Sequence, residues 1–273
     1  MIKLFVSDID STLFDPISGQ IPEINLQALT ELQQSGVTLA LASGRLMRGT
    51  LEIARMLHMD EYGGYIISSN GASVINMKTQ TSIVDRKLNV NELRSLYNDA
   101  KRLHLNFSVD QGVDVIASGF DDALSYDRDV VGLTFKLPDA DLTPYILIPS
   151  HKCAVTKNSV EPDFTMNEMV KLWQGRVSIV RSHENFLDIM AHDVSKSTGI
   201  QSLFEGLKLD YSEVAAIGDA ENDRWMLMHA GLSACVANGS DSIKKLVDRV
   251  VASSVEGGVA EFAYDIIEMN KKR

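Results

Sequence analysis

Short apolar runs alternate with helical patterns over the first part of the chain. Residues 2–6, 37–42 and 65–69 are mainly apolar runs of the length and composition of strands buried on both faces of a sheet. Residues 22–35 and 46–58, which lie between them, have the pattern of helices. This alternation of strands and helices indicates a parallel sheet that is covered by helices.

The alternation breaks down in the middle of the chain and returns near residue 186. Two helical patterns, at 91–103 and 162–173, are grouped there with short strand patterns at 105–109, 113–117, 153–156 and 177–180. Such a grouping is typical of a separate α+β domain. We therefore predict an α/β fold with a doubly wound, Rossmann-like parallel sheet built from residues 1–81 and 186–273. An inserted α+β domain of residues 82–185 interrupts it.

Composition and charge narrow the classes of function. Asp and Glu outnumber Lys and Arg by 37 to 26, the net charge is −11, and basic residues form no run, so nucleic acid is a poor partner. Cys153 and Cys235 stand in apolar stretches, which favours buried, reduced thiols. No apolar run approaches the roughly 20 residues of a membrane span, and the start has no signal-peptide pattern. We therefore expect no membrane partner and a cytoplasmic location.

Polar side chains follow the ends of several predicted strands. Asp8 and Asp10 come after the first strand, Ser43 after the second and Asp219 after a strand pattern at 214–217, while Lys196 begins a helical pattern. Ligands of open parallel sheets bind outside the carboxyl ends of the strands. We therefore expect these acidic, hydroxyl and cationic groups to meet at one edge of the sheet.

These acidic, hydroxyl and cationic groups, if they meet, are suited to bind a metal ion and a phosphate group. Carboxylates crowded together repel one another and raise each other's pKa values, which a divalent cation relieves. Magnesium prefers such hard oxygen ligands, and together with Lys196 and Ser43 it would neutralise a phosphate group. Phosphoryl transfer requires mainly charge neutralisation and in-line positioning. Two carboxylates two residues apart can supply the nucleophile and the proton shuttle.

Each of these segments alone also has an ordinary structural interpretation. Residues 8–12 are compatible with a simple turn, Ser43 with a helix N-cap and residues 218–223 with a loop before a helix. Lys196 alone is best interpreted as a solvated lysine. The joint placement of all four at predicted sheet edges favours a functional site.

Four of these segments resemble the motifs of the haloacid dehalogenase (HAD) superfamily. Residues 8–13 (DIDSTL) resemble its first motif, DxDGT; residues 43–45 (SGR) resemble the second, Lys196 the third, and residues 218–223 (GDAEND) the fourth, GDxxND. Residues 70–72 (NGA) are similar to the segment that precedes the inserted cap in the Cof-type subfamily, which has a type IIB cap. The resemblance covers the whole chain.

The resemblance implies a magnesium-dependent phosphatase that acts on small phosphorylated metabolites, sugar phosphates first and phosphorylated cofactors next. Asp8 would attack phosphorus and form an aspartyl-phosphate, and Asp10 would protonate the leaving oxygen and then deprotonate water. Magnesium would be held by Asp8, the carbonyl of Asp10, Asp219 and, in support, Asp223. The phosphate would be held by Ser43, Gly44, Lys196, Asn222 and the amide of Ile9. The inserted domain would select the leaving group.

One residue departs from the family pattern. Ser11 stands where the first motif usually has glycine, whose backbone adopts unusual angles. We expect either a negative φ at Ser11 or a slightly displaced loop. Three other functions stay open: a phosphomutase of the same superfamily, a phosphoryl-accepting signalling domain and a non-catalytic sugar-phosphate sensor. The signalling domain is disfavoured by the large insertion and by Asp10, which favours turnover.

Overall fold

The computed structural model describes residues 1–138, 141–157 and 163–272. It contains two compact units. The first comprises Met1–Ser43, Thr50–Val84 and Lys196–Arg273, and the second comprises Gly44–Gly49 and Asp85–Ser195. Among the described residues, no helix has both the length and the apolar character that are required to cross a bilayer.

The secondary-structure elements are as follows. In chain order the strands are β1 (Leu4–Asp8), β2 (Thr38–Ala42), β3 (Tyr65–Ser68), β4 (Ser73–Asn76), β5 (Ser82–Asp85), β6 (Asn106–Asp110), β7 (Val115–Ala117), β8 (Phe135–Lys136), β9 (Cys153–Thr156), β10 (Val177–His183), β11 (Phe186–Ala191), β12 (Val214–Gly218), β13 (Leu232–Val236) and β14 (Arg249–Val251). The α-helices are α1 (Glu23–Gln34), α2 (Met47–Met56), α3 (Met59–Tyr62), α4 (Val90–Arg102), α5 (Asp122–Asp129), α6 (Asp163–Trp173), α7 (Lys196–Leu207), α8 (Arg224–His229), α9 (Asp241–Lys244) and α10 (Gly258–Lys271).

The first unit is built on an eight-stranded sheet in the order β14-β13-β12-β1-β2-β3-β4-β5. Neighbouring strands from β14 to β3 are parallel, and β4 runs antiparallel to β3. Successive side chains of a strand point to opposite faces of the sheet. On one face, Leu4 and Val6 pack in a cluster with Phe204 of α7. On the other, Phe5 meets Phe262 of α10 with ring centroids 5.7 Å apart. The predicted doubly wound α/β fold is therefore confirmed.

The second unit is built on a six-stranded sheet in the order β10-β11-β9-β6-β7-β8. Its strand pairs are antiparallel apart from the β7–β8 pair. Leu96 of α4 and Met169 of α6 pack in one apolar cluster with Phe107 of β6. The predicted α+β character is therefore present, and β9 has the predicted bounds. Residue 162, where the second predicted helix begins, lies outside the described residues.

The start of the returning core differs from the sequence prediction. The predicted boundary at residue 186 falls between β10 and β11, which pair antiparallel in one sheet. Strand β11 also pairs with β9, so it belongs to the second unit, and the first unit resumes at Lys196. A buried apolar run has the same pattern in either domain, and its pairing partners are not visible in it. Cys153 and Cys235 are buried and free of disulfides, as predicted.

A short segment that follows β2 also belongs to the second unit, which the sequence did not predict. Leu46 packs there in an apolar cluster with Val115 and Val131. The Lys152 ammonium donates a hydrogen bond to the carbonyl of Gly44 at 2.9 Å. The apolar packing of Leu46 and the hydrogen bond from Lys152 therefore hold this segment in the second unit.

The contact between α10 and the first sheet generates a stability prediction. Phe262 is completely buried, so Phe262→Ala should lower the free energy of unfolding by about 3–5 kcal/mol through lost burial and a residual cavity. Met269→Ala on the same helix, where the side chain is 39% exposed, should cost less than about 0.5 kcal/mol. Urea unfolding followed by circular dichroism measures both. Equal losses would contradict the described packing of α10.

Candidate active site

Three carboxylates and one ammonium group form a cluster in the first unit. Asp8 ends β1, Asp219 follows β12, Asp223 ends a short 3₁₀ turn (Glu221–Asp223), and Lys196 opens α7. One carboxylate oxygen from each of the three aspartates lies within 4.8 Å of the other two. The Lys196 Nζ is 2.5 Å from Asp8 Oδ1 and 2.6 Å from Asp223 Oδ1. A single lysine therefore bridges two of the three acids.

The strand ends and their turns explain why these carboxylates meet. Parallel strands β1 and β12 pair Ser7 with Ile217, so the residues that follow emerge side by side. The Asp223 Oδ2 accepts hydrogen bonds from the amides of Asp219 at 3.0 Å and of Ala220 at 3.3 Å. A Cβ atom at Gly218 would lie 2.5 Å from that Oδ2 atom, so only glycine leaves room for the turn. The glycine of the fourth motif thus has a steric role.

The position of Lys196 depends on a close approach of two backbones. Ser69, Asn70 and Gly71, which follow β3, all have positive φ and form a tight turn. A Cβ atom at Gly199 would lie only 2.6 Å from the Cα of Gly71. The first turn of α7 therefore rests directly on this turn, and Lys196 is held one helical turn before the contact. Sequence reasoning missed Gly199, although the lysine, three positions earlier, pointed to this helix.

The burial of the cluster controls its protonation. Burial raises the pKa of Asp8 well above the ordinary value, the ammonium of Lys196 opposes this rise, and the charges of Asp223 and Asp219 add to it. Burial, with the charge of Asp223, raises the pKa of Asp219 to about 7. Burial disfavours the charged form of Lys196, but Asp223 and Asp8 outweigh it and raise the pKa of its ammonium. In the absence of a further cation, Asp8 and Asp219 therefore bind protons more readily than ordinary aspartates.

The loop after β1 brings a second carboxylate and a hydroxyl to this edge. Asp10 is half-buried, and its charge contributes to the raised pKa of Asp219. The hydroxyl of Thr12, which sequence reasoning did not single out, donates to Asp219 Oδ1 at 3.4 Å. The carbonyl of Ile9 accepts the amides of Leu13 and Phe14 at 2.9 and 2.8 Å and closes the loop.

Ser11 has a left-handed backbone in this loop. Its φ is +63°, so the first of the two expected alternatives, a negative φ, is wrong. The serine adopts the backbone conformation that the usual glycine would reach without the Cβ penalty. The departure from the family motif therefore preserves the left-handed backbone that glycine favours and adds local strain.

The remaining predicted site residues lie in separate segments of the chain. Ser43 is buried after β2, where its amide donates to the carbonyl of Ile67 at 2.9 Å and its carbonyl accepts the amide of Asn70 at 3.1 Å. Asn222 is exposed in the turn between Asp219 and Asp223. Gly44 belongs to the segment that is part of the second unit. Phosphate binding by Ser43, Gly44, Asn222 and the amide of Ile9 stays a prediction.

The donor set suits a hard divalent cation. Asp8, Asp219 and Asp223 offer carboxylate oxygens close together, and hard oxygen ligands of this kind are those that magnesium and calcium prefer. Burial is the main cause of the raised pKa values of Asp8 and Asp219, and the neighbouring carboxylates add to it; a bound cation would favour the ionised forms. The residues present therefore fit a metal ion.

The chain belongs to the haloacid dehalogenase-like hydrolase family, whose sequence model matches residues 5–262. The predicted superfamily and its Cof-type branch are thereby confirmed. Family and site together define an enzyme of the phosphatase type, as the sequence predicted.

The chain is similar over nearly its whole length to other proteins, of which two relatives and one solved structure are examples. A candidate phosphatase of Streptococcus pyogenes is 26% identical over 263 residues, which cover 95% of this chain and 96% of that protein. The 5-amino-6-(5-phospho-D-ribitylamino)uracil phosphatase of Bacillus subtilis is 23% identical over 261 residues, covering 95% and 94%. A haloacid dehalogenase-like hydrolase of Bacteroides thetaiotaomicron has a TM-score of 0.88 at 27% identity and covers 97% of this chain and 100% of that one.

The raised pKa of Asp219 generates a prediction on stability and pH. In the unfolded chain this carboxyl ionises near its ordinary pKa of 3.8, whereas in the folded protein its pKa is about 7. The folded state therefore binds more protons between these values, and raising the pH favours unfolding. Asp219→Asn removes this titration. In chelator, the thermal midpoint of wild type minus that of Asp219→Asn should fall as the pH rises from about 4 to about 7.

Differential scanning fluorimetry at a series of pH values measures this difference. The charged neighbours Asp10, Lys196 and Asp223 are present in both proteins. Asp219→Asn also removes a charge that raises the pKa of Asp8, and this change acts in the same direction, so the difference reports the titration of Asp219 together with its effect on Asp8. A difference between the two midpoints that is constant or rises over this range would contradict the described burial of its carboxyl.

Proposed function

We propose that the protein is a magnesium-dependent phosphatase that removes phosphate from small phosphorylated metabolites through an aspartyl-phosphate on Asp8. The observation that carries this proposal is the buried Lys196 ammonium between Asp8 and Asp223, with Asp219 beside them. Such a grouping supplies a carboxylate nucleophile, a cation for phosphate oxygens and ligands for a metal in one place.

The protein residues divide the reaction between them. Asp8 forms a bond to phosphorus as the bond from phosphorus to the ester oxygen breaks, and Asp10 gives its proton to that oxygen. Asp10 then takes a proton from the water that attacks the phosphorus of the aspartyl-phosphate, which releases phosphate and restores Asp8. Lys196 and Ser43 hold phosphate oxygens, together with Gly44, Asn222 and the amide of Ile9. A magnesium ion held by Asp8, Asp219, Asp223 and the Asp10 carbonyl would neutralise charge on the phosphate.

Two features separate this proposal from the alternatives. A stable phosphoryl-accepting domain lacks an acid and base beside its aspartate, whereas here Asp10 stands two residues after Asp8 and its charge contributes to the raised pKa of Asp219 in the same cluster. A non-catalytic sensor only has to bind its ligand, so it does not require a nucleophile, a cation and metal ligands together. A phosphomutase shares the first half-reaction, and the production of free phosphate distinguishes the two activities.

The relatives and the second unit support a proposal for the substrate class. We propose sugar phosphates first and phosphorylated cofactors next. The Bacillus subtilis relative supports a small phosphorylated metabolite, since its named substrate carries a phosphorylated ribityl chain. The inserted residues, predicted as 82–185, would act as the cap that selects the leaving group. In the structure Asp85–Ser195 form the second unit together with Gly44–Gly49. We expect this activity in the cytoplasm, with no nucleic acid or membrane partner.

Dependence on a divalent cation tests the metal assignment. Chelation should abolish phosphate release from a generic aryl phosphate, because the phosphate charge then lacks its main counter-ion, and added magnesium should restore it. A colorimetric assay of free phosphate measures both states. Full activity in excess chelator would refute the role assigned to the metal.

Two substitutions test the roles of the first motif. Asp8→Asn deletes the nucleophile at nearly constant shape and should lower kcat by at least about 10⁴-fold. Asp10→Asn removes the proton donor and acceptor and should lower kcat by about 10²- to 10⁴-fold. Asp241→Asn is the matched control in the same unit, since its side chain is 89% exposed, and it should retain wild-type kcat. Near-normal turnover by Asp8→Asn would require another nucleophile.

A further inference from the structure

The loop that carries Asp10 contains a strained residue with an external partner. Ser11 follows Asp10 directly and has a φ of +63°, a conformation that is unfavourable for a residue with a Cβ. Its amide donates to the carbonyl of Phe14 at 2.9 Å within the loop. Its own carbonyl accepts a hydrogen bond at 2.7 Å from the side-chain amide of Asn238, which is 227 positions away in the chain. A residue other than glycine keeps a left-handed backbone conformation only when surrounding contacts stabilise that conformation.

Asn238 lies in the loop after β13 and connects two segments. Its Nδ2 donates to the Ser11 carbonyl, and its Oδ1 accepts the amide of Ser254 at 2.8 Å. One orientation of the side-chain amide satisfies both contacts, because a carbonyl needs a donor and a backbone amide needs an acceptor. Aspartate is nearly isosteric, but as a carboxylate it accepts hydrogen bonds only. Asparagine is therefore the residue that meets both requirements here.

The same loop also contacts the fourth motif. The amide of Ser240 donates to the carbonyl of Asp219 at 2.8 Å. A Cβ atom at Gly239 would lie 3.0 Å from that carbonyl, so the two segments are in close contact. The loop after β13 therefore touches the backbone on both sides of the candidate site, at Ser11 and at Asp219.

We propose that Asn238 is a positioning residue for Asp10. Its amide holds Ser11 in the left-handed conformation, and this conformation sets the course of the chain between Asp10 and Thr12, whose hydroxyl reaches Asp219. A return of Ser11 to negative φ would redirect both neighbours. This inference rests on the proposed phosphatase activity, in which Asp10 transfers protons. Glycine at this position would need no such support, so the need for Asn238 is a consequence of the serine.

The test is a double-mutant cycle between the two positions. Wild type, Asn238→Asp, Ser11→Gly and the double variant are compared in magnesium with an aryl phosphate. Asn238→Asp keeps an acceptor for Ser254 and removes the donor to Ser11. It should lower kcat by about 10- to 100-fold, as a small misplacement of a reacting group does, with KM within about twofold. In the Ser11→Gly background the same substitution should cost less than about threefold.

A matched control uses the same chemistry at a remote position. The Asn270 side chain donates to the carbonyl of Ile2 at 2.9 Å and accepts the amide of Ile2 at 2.9 Å, as Asn238 does for its two partners. Asn270→Asp should therefore leave kcat unchanged. Urea unfolding of the four variants of the cycle gives a readout that does not depend on activity. Asn238→Asp should lower the urea midpoint more in the Ser11 protein than in the Ser11→Gly background.

The outcomes separate this inference from the proposed function. Wild-type kcat in Asn238→Asp, or equal losses of kcat in both backgrounds, would overturn the positioning role while the phosphatase proposal stands. If Asn238→Asp does not fold, Ser11→Gly must restore a folded and active protein, and its failure to do so would also overturn the inference. If wild type releases no phosphate, the proposed function fails, and the unfolding cycle still decides whether Asn238 supports Ser11.

Discussion

The buried contact of Lys196 with Asp8 and Asp223 is the interaction on which the candidate site depends. A carboxylate taken out of water is stable only with a partner, and here three carboxylates share one small region. One ammonium group lies 2.5 and 2.6 Å from two of them, while burial and the charge of Asp223 raise the pKa of the third, Asp219, to about 7. A metal ion would neutralise the remaining negative charge of the carboxylates. The same charged groups therefore determine both the stability of the folded site and the proposed catalysis.

Backbone geometry, and not only the attraction between charged side chains, brings these charged groups together at one edge of the sheet. The parallel order of β1 and β12 brings Asp8 and Asp219 to one edge, and the absence of a Cβ at Gly218 lets Asp223 fold back onto the amides of that turn. The close approach of Gly199 to Gly71 lets the helix that begins with Lys196 pack directly against the turn after β3. Because these contacts are made by the backbone and by hydrogen bonds within the fold, the lysine and the acids already lie close together without a ligand.

The sequence predicted the alternating elements of the core and the polar residues at its strand ends, because burial period and turn chemistry are local properties of the chain. It misplaced the start of the returning core, since the apolar run of β11 does not reveal which strands it pairs with. It also missed the segment around Leu46 and the partner of Ser11 at Asn238, which depend on contacts between residues far apart in sequence. The left-handed φ of Ser11 was also not predicted, because serine prefers a negative φ and the surrounding loop imposes the positive one.

The most direct test of the central claim is to locate the transferred phosphoryl group. Asp10→Asn protein is mixed with an aryl phosphate and magnesium, quenched in acid within a single turnover, digested and analysed by mass spectrometry. Slow hydrolysis in this variant should let the covalent intermediate accumulate, and the account predicts the mass of one phosphoryl group on the peptide that contains Asp8. A phosphoryl group on another residue, or release of product with no modified peptide, would contradict the assignment of Asp8 as the nucleophile beside Lys196.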